Sequence, residues 1–358
     1  MKLIYDYKIF FNQSIGGPSR YFVELIKEMV KINEDTTILS PIYINQYLRD
    51  IEKKYKRGRY IQNKRYFGKF FNLYNKLVSN HYFNNNNYDI LHTTYYDDHS
   101  IKKKPTVITV YDLIHEKYDS DYNMPKYHKK KIFDKVDHFI CISKNTQKDL
   151  IEHYNIKKEK TSVIYLSNFS MTDEAPLKFE YKNPFFLYVG SRKRYKNFTI
   201  LLKTFSECEE IKNNFDIVCF GGGKFLKEEL NLFQKLKLDL NKIHQIGGED
   251  KILINLYKTA QAFICTSKYE GFGLPILEAM RNDCPVISSN SSSLPEVYGE
   301  AALSFSPNSS EELTNCIQEI VNDSNLRVNL VKKCLVNIKR FSWKKCAQDT
   351  LKVYNDLI

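Results

Sequence analysis

The chain has 358 residues, 42% hydrophobic, 27% charged and 14% aromatic, with a formal net charge of +12 and a pI near 9.0. That length exceeds one ordinary hydrophobic core and implies about two domains, and the composition excludes a disordered, fibrous or disulfide-scaffold chain. No window approaches the ~18 consecutive apolar residues of a membrane-spanning helix, and the excess of Lys and Arg suits anionic partners without naming one.

The opening residues, MKLIYDYKIFFNQS, lack the apolar core and small-residue cleavage site of a secretory signal. They read as a first strand, so a cytoplasmic location is expected. Strands are predicted at 2–7, 36–42, 89–95, 106–113, 138–143 and 162–166, and again at 184–190, 215–221, 242–246, 262–267, 285–289 and 302–305. Several are nearly unbroken apolar runs, such as PTVITVYDL, DHFICIS, PFFLYVG and DIVCFG. Strands buried on both faces look like this, as in parallel sheets covered by helices. Their alternation with helical patterns predicts an α/β, doubly wound, Rossmann-like architecture.

A polar, aperiodic stretch at 170–183, SMTDEAPLKFEYKN, separates six strands from six and reads as a linker. The expected domains are therefore 1–172 and 173–340, with an amphipathic closing helix over 341–358 that packs back toward the first domain. The eight cysteines, none in a C-x-x-C, read as reduced thiols rather than disulfides or zinc ligands.

In such sheets ligands bind in the loops that follow strands. After the first predicted strand come Gly16 and Gly17, with Pro18 opening a helix. After the run 106–113 stand Tyr111, Asp112 and His115; a loop Asp of this kind either orients a substrate or caps the next turn. PFFLYVG leads into Ser191-Arg-Lys-Arg-Tyr-Lys-Asn197, a cationic loop suited to phosphate. Cys219-Phe-Gly-Gly-Gly-Lys224 follows another strand and either approaches a nucleotide or simply turns. After QAFICTS comes YEGFGLPILEAM. Gly271 and Gly273 permit a sharp turn, Pro275 suits a first helical turn, and the amides of Gly271 to Leu274 open a helix, an anion site. Glu270 and Glu278 flank that site, placed to accept paired hydrogen bonds from vicinal hydroxyls.

The segment YEGFGLPILEAM, continued by DCPVISS and SLPEVYGEAA, resembles the signature of the retaining GT-B glycosyltransferases of family 4. The resemblance implies two Rossmann-like domains facing a cleft. It implies that Glu270 contacts the transferred sugar, Glu278 the ribose, and the Phe272–Leu274 amides the sugar and diphosphate. Arg192 and Lys196 match the family's cationic pair at the leaving diphosphate, and Gly16 and Gly17 its Gly-Gly loop. Asp112 is expected to orient the acceptor; Tyr111 stands where many relatives have His, which leaves no histidine role assigned. The implied catalytic set is Glu270, Arg192, Lys196 and Asp112, with no cofactor and no metal. Asp119-Ser-Asp121, although spaced like a metal-binding D-x-D, reads as a surface loop.

The function so implied is transfer of a hexose from a nucleotide diphosphate sugar to a hydroxyl of a glycan or lipid-linked acceptor. GDP-mannose is preferred over UDP-hexoses, in polysaccharide or O-antigen assembly. The rival readings are a nucleotide-sugar epimerase of the same shape and a non-enzymatic basic membrane- or nucleic-acid-binding protein. Three runs interleave cations with aromatics, KKYKRGRY, KRYFGKFF and KYHKKK. They suit an anionic membrane surface, and no nucleic acid partner is expected because no RNA-binding motif accompanies them. Peripheral attachment to the inner membrane face is the corresponding expectation.

Overall fold

The computed structural model of the chain describes every residue except 34, 65, 98–103, 119–125, 169–180 and 182, with no side chains for 126–128. Contacts divide the chain into two compact units, Met1–Ser167 with Phe341–Ile358, and Asn168–Arg340. Nearly all of the predicted linker at 170–183, the Asp119/Asp121 pair and the start of KYHKKK lie outside the described residues.

The first unit holds a parallel sheet in the order β3-β2-β1-β4-β5-β6-β7. Its strands are β1 (Leu3–Tyr5), β2 (Thr36–Tyr43), β3 (Lys56–Tyr60), β4 (Ile90–Thr93), β5 (Thr106–Val110), β6 (His138–Cys141) and β7 (Thr161–Val163). Six strands were expected here, and β3 is the correction. It is the sheet edge, with an exposed cationic centre, so it lacks the apolar pattern that betrays inner strands. The inner strands β4 and β5 are buried almost throughout, and Ile108, Phe133, Phe139 and Leu150 pack one side of the sheet.

The tail helix Trp343–Asn355 belongs to this first unit. Tyr354 reaches the sheet, where its hydroxyl bonds those of Tyr5 at 3.0 Å and Nδ1 of His92 at 2.5 Å. His92 Nε2 bonds Thr109 Oγ1 at 2.9 Å. Burial pushes the His92 imidazole down to about 3.

The second unit is a parallel sheet in the order β10-β9-β8-β11-β12-β13. Its strands are β8 (Phe185–Val189), β9 (Asp216–Phe220), β10 (Ile243–Ile246), β11 (Ala262–Cys265), β12 (Val286–Ser289) and β13 (Leu303–Phe305). Phe186, Leu201, Ile217, Ile264, Ile287 and Ile317 form its core. Counted from its own first strand, this is the Rossmann order 3-2-1-4-5-6, which reverses its winding between β8 and β11. The first unit reverses likewise between β1 and β4. Loops leaving the strands beside a reversal splay apart and leave room for a ligand. All eight cysteines are free thiols.

Candidate active site

In the second unit the reversal brings the loops after β8 and β11 together. Thr266 Oγ1 donates to the Lys196 carbonyl at 2.7 Å, and the Lys268 amide donates to the Tyr195 carbonyl at 2.6 Å. Lys196 ends a short 3-10 turn, Arg194–Lys196, and Asn197 follows in the left-handed region with φ 54. Asn tolerates that conformation better than most residues. The turn aims Lys196 Nζ at Glu270, which it meets at 2.6 Å. Ser267 Oγ donates to the same oxygen, Glu270 Oε1, at 2.6 Å. The Glu270 backbone is held in turn by the loop after β12, since its amide donates to Ser292 Oγ at 2.8 Å and its carbonyl accepts from Ser293 Oγ at 2.8 Å.

This is a charged cluster held at four points. Burial pushes the Lys196 ammonium down, but the Glu270 carboxylate pulls it further up, and the net shift is above the ordinary lysine value. Lys196 therefore keeps its positive charge throughout the neutral range. Both side-chain donors land on Glu270 Oε1; no donor among the described residues is assigned to Oε2. The pair is 19% and 15% exposed.

Residues Gly271, Phe272 and Gly273 are buried and lead into the helix Leu274–Arg281, with Pro275 in its first turn. Gly273 has φ +118, and a Cβ there would lie 2.9 Å from Leu294 Cδ2. A side chain would be both strained and crowded, so this turn requires glycine. Pro275 has no N–H and the Ile276 amide donates to the Gly273 carbonyl at 3.0 Å, which leaves the Gly273 and Leu274 amides and the helix dipole to attract an anion. Glu278 stands one turn in, and its Oε2 accepts from the Tyr257 hydroxyl at 3.2 Å.

Arg192 precedes Lys196 in the same loop and has its own set of partners. Its guanidinium, 2% exposed, is turned into the protein. Nε donates to Glu229 Oε1 at 2.7 Å, and the terminal nitrogens reach the carbonyls of Gly221 at 3.1 Å, Gly223 at 2.9 Å and Lys224 at 3.2 Å. Phe225 lies under the guanidinium at 4.7 Å. In this geometry Arg192 latches the glycine loop after β9.

In the first unit, Gly16 caps the helix Gly17–Ile32 and Pro18 occupies its first turn. Gly16 is extended, with φ 168. A Cβ on Gly17 would meet nothing within 4 Å. The unit itself thus has no need of glycine at 17, and the backbone there lies open. Asp112 follows β5, and its Oδ1 accepts from the Ile114 amide at 3.0 Å. Burial raises its carboxyl above the usual range, with that amide opposing. Tyr111 is buried edge-on against Tyr21, its ring centre 5.8 Å away.

Five residues of this machinery carry no role in the sequence reading: Ser267, Ser292, Ser293, Tyr257 and Glu229. The Thr266-Ser267 pair after β11 and the serine run Ser291–Ser293 after β12 were the available signal for three of them. Glu229 had none: its carboxylate accepts from the Leu226 amide at 2.7 Å, but a leucine at the helix start leaves no Ser/Thr-x-x-Glu pattern to read.

The family model described as "Glycosyl transferases group 1" matches residues 170–356, and that described as "Glycosyltransferase Family 4" matches residues 15–166. The chain is 34% identical over 172 residues to O-antigen chain mannosyltransferase B of Escherichia coli, covering 47% of the chain and 45% of that protein. It is 27% identical over 275 residues to the serotype-specific mannosyltransferase WbdA of Escherichia coli, covering 71% and 34% respectively. The chain thus spans less than half the length of either relative. Among solved structures, Anabaena Alr3699/HepE in complex with UDP and glucose superposes with a TM-score of 0.74 at 16% identity, over 99% of both chains. That likeness establishes the fold: two Rossmann-like units of the GT-B type.

Proposed function

The chain belongs to the family of glycosyl transferases group 1, and from that premise we propose that it is a retaining glycosyltransferase. Its donor is a nucleotide diphosphate hexose, GDP-mannose before UDP-hexoses, and its acceptor a hydroxyl of a glycan or lipid-linked saccharide. Support for mannose comes from the relatives, two of which are named mannosyltransferases of O-antigen or serotype-specific type.

The observation that carries the chemistry is the cluster of Lys196, Ser267 and Glu270. Lys196 and Ser267 hold one oxygen of the Glu270 carboxylate, at 2.6 Å each, which orients the other toward a sugar hydroxyl. Beside it, the Gly273 and Leu274 amides at the start of Leu274–Arg281 are assigned to the diphosphate. Glu278, steadied by Tyr257, is assigned the ribose hydroxyls. As the bond from the anomeric carbon to the diphosphate oxygen breaks, the acceptor oxygen bonds that carbon on the same face. The acceptor proton passes to the departing oxygen. The Lys196 charge and the helix amides stabilise the negative charge that grows there. Arg192 is assigned an indirect part, fixing the Gly221–Lys224 loop through Glu229. Gly16 and Gly17 leave backbone open to the donor, and Asp112 orients the acceptor. No metal or other cofactor enters this scheme.

A thermal-shift series with GDP, UDP, ADP and their sugars tests the donor. A ligand at about 100 times its Kd stabilises the native state by about 2.7 kcal/mol. In a unit the size of Asn168–Arg340 that is a rise of roughly 5–10 °C. One nucleotide should stand out, and Lys196→Ala should abolish sugar transfer. No shift with any nucleotide, or unchanged turnover in Lys196→Ala, overturns the proposal.

A further inference from the structure

The helix Gly68–Asn85 is amphipathic the wrong way round. Its buried residues are Asn75, Ser79 and Phe83. Asn75 holds the helix to the sheet with both ends of its amide, accepting from the Ile42 N–H at 2.8 Å and donating to the Ile42 carbonyl at 2.9 Å. The opposite face is apolar and outward. Phe67, just before the helix, and Phe70, Leu73, Tyr74 and Leu77 are 43% to 64% exposed. Spaced three and four apart, they form one stripe. A stripe of large apolar side chains on one face marks a surface that meets something other than water.

The surroundings identify the partner. From Lys53 to Tyr88 the chain has nine Lys and Arg and not one Asp or Glu. Lys69 lies exposed on the helix itself, and Lys53, Lys54, Arg57 and Arg59 lie exposed in and just before the edge strand β3. Arg57 ties strand to helix, its guanidinium 5.2 Å from the Tyr82 ring centre. Apolar and aromatic side chains with a cationic surround match the layering of an anionic bilayer, acyl chains below and phosphate headgroups at the rim. A second copy of the chain would set nine positive charges against nine. A nucleic acid would satisfy the cations but leave Leu73 and Leu77 facing phosphate. No helix among the described residues is long and apolar enough to cross a membrane, so the contact is one of lying on the surface.

We infer that Gly68–Asn85 and the neighbouring cations of β3 form a docking surface for an anionic lipid bilayer. The surface does not depend on what the second unit catalyses. The full chain is sedimented with vesicles of phosphatidylcholine, or of phosphatidylcholine mixed with phosphatidylglycerol, at low and high salt. Wild type should pellet with the mixed vesicles, more weakly with neutral ones, and less in high salt. F70S/L77S should lower partition about tenfold or more. Hydrogen exchange on wild type provides a measurement without substitution: amides of Gly68–Asn85 should slow on mixed vesicles. Wild type that stays in solution at low salt overturns the inference. So does F70S/L77S that is folded and pellets like wild type. RNA binding lost in K69E/K76E with vesicles ignored also overturns it, as does self-association abolished by F70S/L77S with vesicles ignored.

Discussion

Replacing Arg192 by Met removes the guanidinium while keeping much of its stem, and should destabilise the second unit well before any question of activity arises. Three contributions compete. The carbonyls of Gly221, Gly223 and Lys224 lose a donor, but that loop is exposed, so water replaces most of what is lost. The stacking on Phe225 is largely preserved by the Met side chain. The decisive loss is at Glu229, left without its cation. Breaking a buried ion pair from one side costs about 3–5 kcal/mol. Glu229 is 16% exposed and keeps its bond from the Leu226 amide, so the lower end applies, about 3 kcal/mol. At about 2–4 °C per kcal/mol for a unit of this size, melting should fall by roughly 6–12 °C. The assay is calorimetric melting of wild type, R192M, E229Q and R192M/E229Q. The double variant, with no stranded charge, should lose clearly less than the sum of the singles, beyond the ~0.5 kcal/mol expected of independent sites. R192M melting within about 2 °C of wild type, or strict additivity, refutes the latch.

Two glycines should respond in opposite ways. Gly273→Ala forces a Cβ against Leu294 at φ +118 and should cost about 1–3 kcal/mol of stability by thermal melting. Gly17→Ala should melt like wild type, because nothing lies within 4 Å of the added carbon, while nucleotide-sugar affinity falls by calorimetry. His92 predicts a pH dependence in the first unit. Its imidazole stays neutral in the fold down to about 3 but takes a proton near 6.5 when unfolded. The unfolded state thus binds more protons in that window. Stability should fall below pH 6.5 by up to about 1.4 kcal/mol per pH unit, and His92→Gln should flatten that slope in melting curves between pH 6.5 and 5.

Much of the fold is legible in the chain because burial on both faces writes itself as continuous apolar runs. FFLYV, DIVCF and AFIC could only be inner parallel strands, and those strands are β8, β9 and β11. The same logic fails where burial is absent. KRGRY, a cationic edge, gave no hint of a strand. The turn at Gly271–Pro275 was equally readable, since glycine, proline and the end of a strand each restrict the backbone locally.

Side-chain partnership is another matter, because it depends on which loops the sheet order sets side by side. Lys196 and Glu270 are 74 positions apart and meet because β8 and β11 are neighbours at the reversal. Arg192, four residues from Lys196, turns to Glu229 instead. The stripe on Gly68–Asn85 has the same origin. Its residues are plain in the sequence, but only packing decides that Asn75 faces the sheet and Phe70 the solvent. Local chemistry sets the elements; long-range contact energies choose which of their faces are spent inside and which remain to meet a partner.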